Sequence, residues 1–315
     1  MQSSQLTPLD GSLFLTDGGL ETFLIFHRGL DLPEFAAFDL LKDEVGREEL
    51  RDYYRPFLDL AAEHDVGFIL ESPTWRANPR WGAAIGYDEP SLASANRDAI
   101  RLMEELREAA ASDQPILISG CIGPHDDGYS PSELLDAADA CSYHSFQISS
   151  FSAEGVDLIT AVTMTYAEEA IGIARAATAV GLPVVISFTV ETDGKLPSGQ
   201  PLGEAIEEVD ADSESEVAYF MINCAHPTHF ASVLSEGGAW LPRIQGLRAN
   251  ASRMSHAELD EATELDDGDP DDLAARYAEI REQLPRLNVL GGCCGTDHRH
   301  VSRICSAVIA ASAEE

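Results

Sequence analysis

Leu287-Asn288-Val289-Leu290-Gly291-Gly292-Cys293-Cys294-Gly295-Thr296 is the stretch from which the rest of the chain is read. It opens as a short apolar run, meets two glycines, and sets two adjacent cysteines where a strand should end. It is the last of eight such runs, at residues 13–17, 66–71, 116–121, 156–162, 184–190, 217–224, 244–249 and 287–291. Longer segments with helical spacing lie between them, among them 92–110, 131–154, 168–180 and 273–284. Strands alternating with helices imply a parallel sheet. Eight is the number that closes such a sheet into a (β/α)8 TIM barrel. The rival is a doubly wound open sheet, which often carries a glycine-rich dinucleotide turn after its first strand. Asp17-Gly18-Gly19 is not that fingerprint. With 315 residues, 44% of them hydrophobic, the chain has material for one α/β barrel as a single domain over 1–315.

The flanking glycines matter because neighbouring side chains on a regular strand face opposite ways. A sharp turn after Gly291-Gly292 would let Cys293 and Cys294 aim at one point. Cys224 ends the sixth run in Ile222-Asn223-Cys224, so in a barrel all three thiols open on the same rim. Three converging thiolates make a zinc site with an open fourth position. Zn²⁺ with three thiolates carries a net negative charge. A thiol added in the fourth place loses its proton and stays electron-rich, which suits attack on an electrophilic methyl group. Other readings of the residues stand beside this one. A vicinal cysteine pair also serves as a redox switch or as inert core thiols. His226, His229, His298 and His300 follow the cysteines closely enough for a mixed Cys/His set, in which a histidine would fill the fourth place of a purely structural zinc. Zinc-bound water would make a hydrolase. Cys121, Cys141 and Cys305 lie in apolar patterns and read as buried small hydrophobes. Asp17 stands at the end of the first run. Its carboxylate could accept from a substrate ammonium group while the N–H groups of Gly18 and Gly19 bind a carboxylate, or it could simply cap the following helix.

Asp17-Gly18-Gly19, Asn223-Cys224 and Gly291-Gly292-Cys293-Cys294-Gly295-Thr296 together resemble the homocysteine S-methyltransferase family, over roughly residues 13–300. The resemblance implies a (β/α)8 barrel and a catalytic zinc on Cys224, Cys293 and Cys294. It implies homocysteine as methyl acceptor, methionine as product, and Asp17 as holder of the amino group. Members of the family use S-methylmethionine, S-adenosylmethionine, betaine, or a corrinoid- or folate-linked donor. Asp17, Gly18, Gly19, Glu71, Trp75, Thr163 and Asn223 are the residues expected to contact the substrates. Two positions depart from the family. Its fourth strand ends in a glutamate that also contacts the amino group, and Val162 stands there in this chain. Glu71 or Glu191 would have to substitute, or the acceptor is another small thiol. Trp75 offers a cation–π face to a sulfonium or ammonium donor, but Arg76 beside it would repel one unless paired or turned away.

Charge sets the remaining expectations. There are 55 acidic residues against 20 basic ones, a formal charge of −35, and Lys42 and Lys195 are the sole lysines. Nucleic acid and anionic membrane are poor partners for such a surface. No apolar run reaches the ~18 residues needed to span a bilayer. The N-terminal segment lacks the pattern of a secretory signal. A cytoplasmic enzyme with small-molecule partners and reduced thiols follows. Its self-repulsion is relieved when salt shortens the Debye length to ~3 Å at 1 M. The fold is therefore expected to be halophilic. Melting followed by circular dichroism in rising KCl should show Tm climbing steadily, and a flat series would contradict the charge argument.

Overall fold

The computed structural model describes residues 7–312. Eight parallel strands close into a barrel in sequence order. They are β1 Phe14–Leu15, β2 Gly67–Glu71, β3 Ile116–Ile122, β4 Leu158–Met164, β5 Val184–Phe188, β6 Val217–Asn223, β7 Ile244–Ala249 and β8 Val289–Gly292. Each falls on one of the eight apolar runs. β1 pairs with β2 on one side and β8 on the other, Phe14 standing opposite Gly67 and Val289. That double pairing leaves no free edge and excludes the open sheet. The long helices of the outer ring are Glu44–Glu63, Glu89–Ala109, Ala137–Glu154, Ala167–Ala179, Leu202–Asp210, Pro227–Ser235, Pro270–Gln283 and His298–Ser312. The helix expected from residue 131 starts later, at Ala137. Asp126 accepts from the N–H groups of Ser132 and Glu133 and from the Ser132 hydroxyl, which winds that segment into a loop. Asp136 then caps the helix by accepting from Ala138 and Asp139. No helix among the described residues is long and apolar enough to cross a membrane.

Two apolar layers build the core. The larger lies between the outer faces of the strands and the helices, with Phe57, Phe151, Phe188 and Phe230 fully buried in it. The smaller fills the barrel itself: Phe14, Ile69, Leu158, Val185, Tyr219, Met221 and Val289. A Cβ at Gly246 would lie 2.4 Å from Met221 Cγ, so the glycine makes room for that methionine. The strand period of two carries each inward series upward from this plug. Glu71 follows Ile69, Thr160 and Val162 follow Leu158, Ser187 follows Val185, Asn223 follows Met221, and Arg248 follows Gly246. The floor of the barrel is therefore dry and the carboxyl-terminal rim polar, which is where barrel enzymes place their chemistry.

Tyr277, on the helix Pro270–Gln283, fastens the part of the rim that matters most. Its buried hydroxyl donates to the Gly291 carbonyl at 2.6 Å and accepts from the Ala249 N–H at 2.8 Å, joining the ends of β7 and β8. Tyr277→Phe leaves that N–H and carbonyl without a partner. The variant should lose about 1–3 kcal/mol of unfolding free energy in urea titrations. A change within error would mean that the rim does not rely on this hydroxyl.

Candidate active site and metal centre

Three cysteines meet because the chain leaves its strands abnormally at two places. Cys224 follows β6 with a φ of 58°, a left-handed conformation that residues with a Cβ avoid unless held. It is held. Its N–H donates to the Arg248 carbonyl at 3.1 Å, and its carbonyl accepts from Asn250 Nδ2 at 2.9 Å and His256 Nε2 at 2.7 Å. His256 also reaches Glu191 at 3.0 Å and stacks on Tyr129, ring centroids 4.3 Å apart. After β8, Cys293 N–H donates to the Ala249 carbonyl, Ala251 N–H to the Cys294 carbonyl, and Gly295 turns the chain at a φ of 78°. The β1 loop packs straight onto this turn. A Cβ at Gly19 would lie 2.5 Å from the Cys293 carbonyl oxygen, so this contact demands a glycine.

The Cys224 sulfur lies 2.9 Å from that of Cys293 and 3.6 Å from that of Cys294, and all three lie within 4.8 Å of one another. Tetrahedral zinc with Zn–S of ~2.3 Å sets its sulfurs about 3.8 Å apart. Two of the separations fall within about 1 Å below that value and the third lies within 4.8 Å, so a small spreading of the thiols would let the cluster fit the ion. Hydrogen bonds from Cys224 and Cys294 hold the Cys293 thiol well below its usual pKa, against burial and with help from Arg248. The Tyr129 hydroxyl sits 3.1 Å from Cys224 Sγ and 3.7 Å from Cys294 Sγ. Among the described residues, no histidine or carboxylate joins the group. His226 caps the helix Pro227–Ser235, His229 binds the Arg253 carbonyl, His300 binds Asp297 and the Asp267 carbonyl, and His298 is exposed. The mixed Cys/His set does not form. Cys121 is buried as expected but borders the cavity, Cys305 is buried, and Cys141 is half-buried.

The thiols open on a cavity of about 440 Å³. Asp17, Gly18, Gly19, Glu71, Trp75, Thr163 and Asn223 all line it, as does Val162. Glu191 does not, being turned to His256. Asp17 is no helix cap, since Gly19 holds the N-cap position. Its carboxylate accepts from Arg248 Nη2 at 2.8 Å and from the Tyr53 hydroxyl at 2.9 Å. Arg248 also donates to the carbonyls of Gly292 and Gly18. Burial lifts the Asp17 pKa above the usual carboxylate value, with Arg248 and Tyr53 opposing. Burial likewise lifts Glu71 and Glu21 to about 7 each. Glu71 Oε2 is buried without a partner. Gly19 N–H is already committed, donating to the Thr296 carbonyl at 3.0 Å. Asn223 binds Thr163 from both ends of its amide, donating to the hydroxyl at 2.9 Å and accepting from the N–H at 2.8 Å. Its Nδ2 also faces Cys293 Sγ at 3.9 Å.

Sequence reasoning did not single out Arg248, Tyr53, Tyr129 or His256. Arg248 had a signal: a charge two residues beyond Gly246 in an apolar run points inward at the rim. Tyr129 arrives from an irregular loop and His256 from the start of the five-residue helix His256–Asp260, where no periodicity predicts direction.

A model of the homocysteine S-methyltransferase family matches residues 14–308 of the chain. Among solved structures, the fold is similar to the homocysteine methyltransferase MmuM from Escherichia coli. Its metallated form gives a TM-score of 0.72 at 18% identity, covering 94% of this chain and 96% of that one. The oxidized form gives 0.76 at 19% identity, covering 96% and 98%.

The Asp17–Arg248 pair is buried on both sides, so removing one partner strands the other's charge. Arg248→Met should destabilise the protein by about 3–5 kcal/mol. Adding Asp17→Asn should restore much of that. Urea melts of the four proteins check it, and simple additivity of the two changes would show that the pair is not coupled.

Proposed function

The chain belongs to the homocysteine S-methyltransferase family, and from that premise we propose that it is a zinc-dependent enzyme of the cytoplasm that methylates the thiol of L-homocysteine to form methionine. The observation that carries this reading is the meeting of the Cys224, Cys293 and Cys294 sulfurs on the wall of a substrate-sized cavity. A zinc ion held by these three thiolates would lower the pKa of an incoming thiol and keep its sulfur nucleophilic. Among the described residues no histidine or carboxylate joins the cluster, which supports a fourth position for substrate over a purely structural metal. Arg248 helps hold Cys293 as thiolate. Glu71, aimed into the cavity, supplies the carboxylate that Val162 does not, and with Asp17 it receives the substrate ammonium group. The cavity walls hold acceptor and donor at near-attack distance. The methyl group then moves in line from a sulfonium or ammonium donor to the acceptor sulfur, and the donor leaves with the bonding pair.

A second reading keeps the centre but changes the acceptor to another small thiol. Val162 favours it, because the apolar side chain stands on the cavity wall where the family places a glutamate. One experiment addresses both. The enzyme, purified in high KCl under reductant, is offered S-methylmethionine, S-adenosylmethionine and betaine in turn, with homocysteine and a panel of other thiols. Wild type should carry one zinc per chain and methylate homocysteine, and Cys294→Ala should lose both metal and turnover. A metal-free variant with full activity would remove zinc from the mechanism. Preference for another thiol would select the second reading.

A further inference from the structure

The cavity that holds the thiols also carries a cation that the proposed chemistry leaves unused. Arg76 is buried, 7% exposed, and borders the cavity. Its guanidinium lies between two indoles, 4.0 Å from the Trp75 ring centroid and 3.8 Å from that of Trp81. Its one hydrogen bond is long, Nη1 to the Asp126 carbonyl at 3.4 Å, and neither Nε nor Nη2 has a protein partner. Glu21, Glu34, Asp127 and the Tyr129 hydroxyl face it, none close enough to pair. Acidic residues outnumber basic ones 55 to 20 in this chain. A buried arginine without a carboxylate is therefore an exception. Arg248, the other buried arginine on the cavity wall, has one.

Stacking between two rings keeps a guanidinium charged and rigid while its edge stays free for hydrogen bonding. That edge is the part of arginine that matches a carboxylate in two-point geometry. Half of the competing receptor is occupied, since the Gly19 N–H serves the Thr296 carbonyl. Resting on the methyl-transfer reading above, we propose that Arg76, clamped by Trp75 and Trp81, is the receptor for a substrate carboxylate and selects carboxylate-bearing small molecules over their decarboxylated analogues. The carboxylate comes from the acceptor amino acid or from the donor. In either case it draws the substrate's acidic end toward Arg76 and leaves its cationic end facing Asp17, Glu21 and Glu71. Arg76 thereby orients a zwitterionic donor instead of repelling it.

The test compares wild type with Arg76→Met, which keeps the packing volume, and Arg76→Lys, which keeps the charge without the fork. Acceptors are homocysteine and 3-aminopropane-1-thiol; donors are betaine and tetramethylammonium, or S-methylmethionine and (3-aminopropyl)dimethylsulfonium. Arg76→Met should raise KM by about 10- to 100-fold for the carboxylate-bearing member of one pair. Its decarboxylated counterpart should be nearly unaffected and kcat little changed. Arg76→Lys should fall between. The pair that loses discrimination identifies the source of the carboxylate. Equal losses within every pair would reduce Arg76 to a packing residue and overturn the proposal. A readout without turnover stands beside it. Two of the three tryptophans flank Arg76, so indole emission of the zinc-loaded wild type should respond saturably to methionine or betaine. It should not respond to 3-(methylthio)propylamine or tetramethylammonium. The response should vanish in Arg76→Met, and its absence in wild type would also overturn the proposal. Failure of every methyl-transfer assay would sink the proposed function alone, because the emission arm needs no reaction.

Discussion

The buried guanidinium of Arg248 is the interaction on which the rest of the rim depends. It comes from the end of β7, pairs with Asp17 beyond β1, and donates to carbonyls of Gly18 and of Gly292 in β8. Three strand ends, two of which Tyr277 also joins, are thus tied by one side chain. Desolvating a charge costs several kcal/mol unless partners surround it. Here the ion pair and the two carbonyls answer that cost. The same charge lies near Cys293 and helps hold it as thiolate. The element that closes the barrel rim therefore also prepares the thiol cluster.

Two arginines on one cavity wall are used in opposite ways. Arg248 is consumed by internal partners and contributes architecture and field. Arg76 is held by stacking between indoles and by one long hydrogen bond to the Asp126 carbonyl, so most of its hydrogen-bonding edge remains unspent. The excess acid elsewhere sharpens the contrast. Most arginines at the surface are drawn into ion pairs, several in networks such as Arg51 with Glu44, Glu48 and Glu105. Exposed pairs of that kind contribute little individually and less in salt. A cation shielded from this acidic surface by two tryptophans keeps its charge for something else.

Much of this was legible in the chain because hydrophobic periodicity reports what is buried. Eight apolar runs became eight strands, and the glycine-flanked cysteines fell where the strand pattern put them. The glycines act less by bending the chain than by allowing contact: a Cβ at Gly291 would lie 1.9 Å from Thr16 Oγ1. What stayed hidden is set by loops. The left-handed backbone at Cys224 is imposed by Asn250 and His256, distant partners that leave no local mark in the sequence. The choice between Glu71 and Glu191 likewise turned on His256, which draws Glu191 away from the cavity. Periodicity could place both carboxylates at strand ends but could not say which one His256 would claim.

The polar layer above the barrel plug shows why one substitution in it need not abolish the site. Inward positions at the rim are shared among strands, and Val162 of β4 and Glu71 of β2 line the same cavity, so on the proposed reading a carboxylate missing from one strand would be supplied by another. The exchange is not neutral. Glu71 is buried with one oxygen unpartnered and its pKa lifted to about 7. A compensating cation would lower that pKa and favour the ionised carboxylate. On the proposed reading, Glu71 would therefore become a stronger acceptor as an ammonium group binds, releasing its proton. The empty barrel would avoid a further negative charge beside three thiols and the Asp17–Arg248 pair.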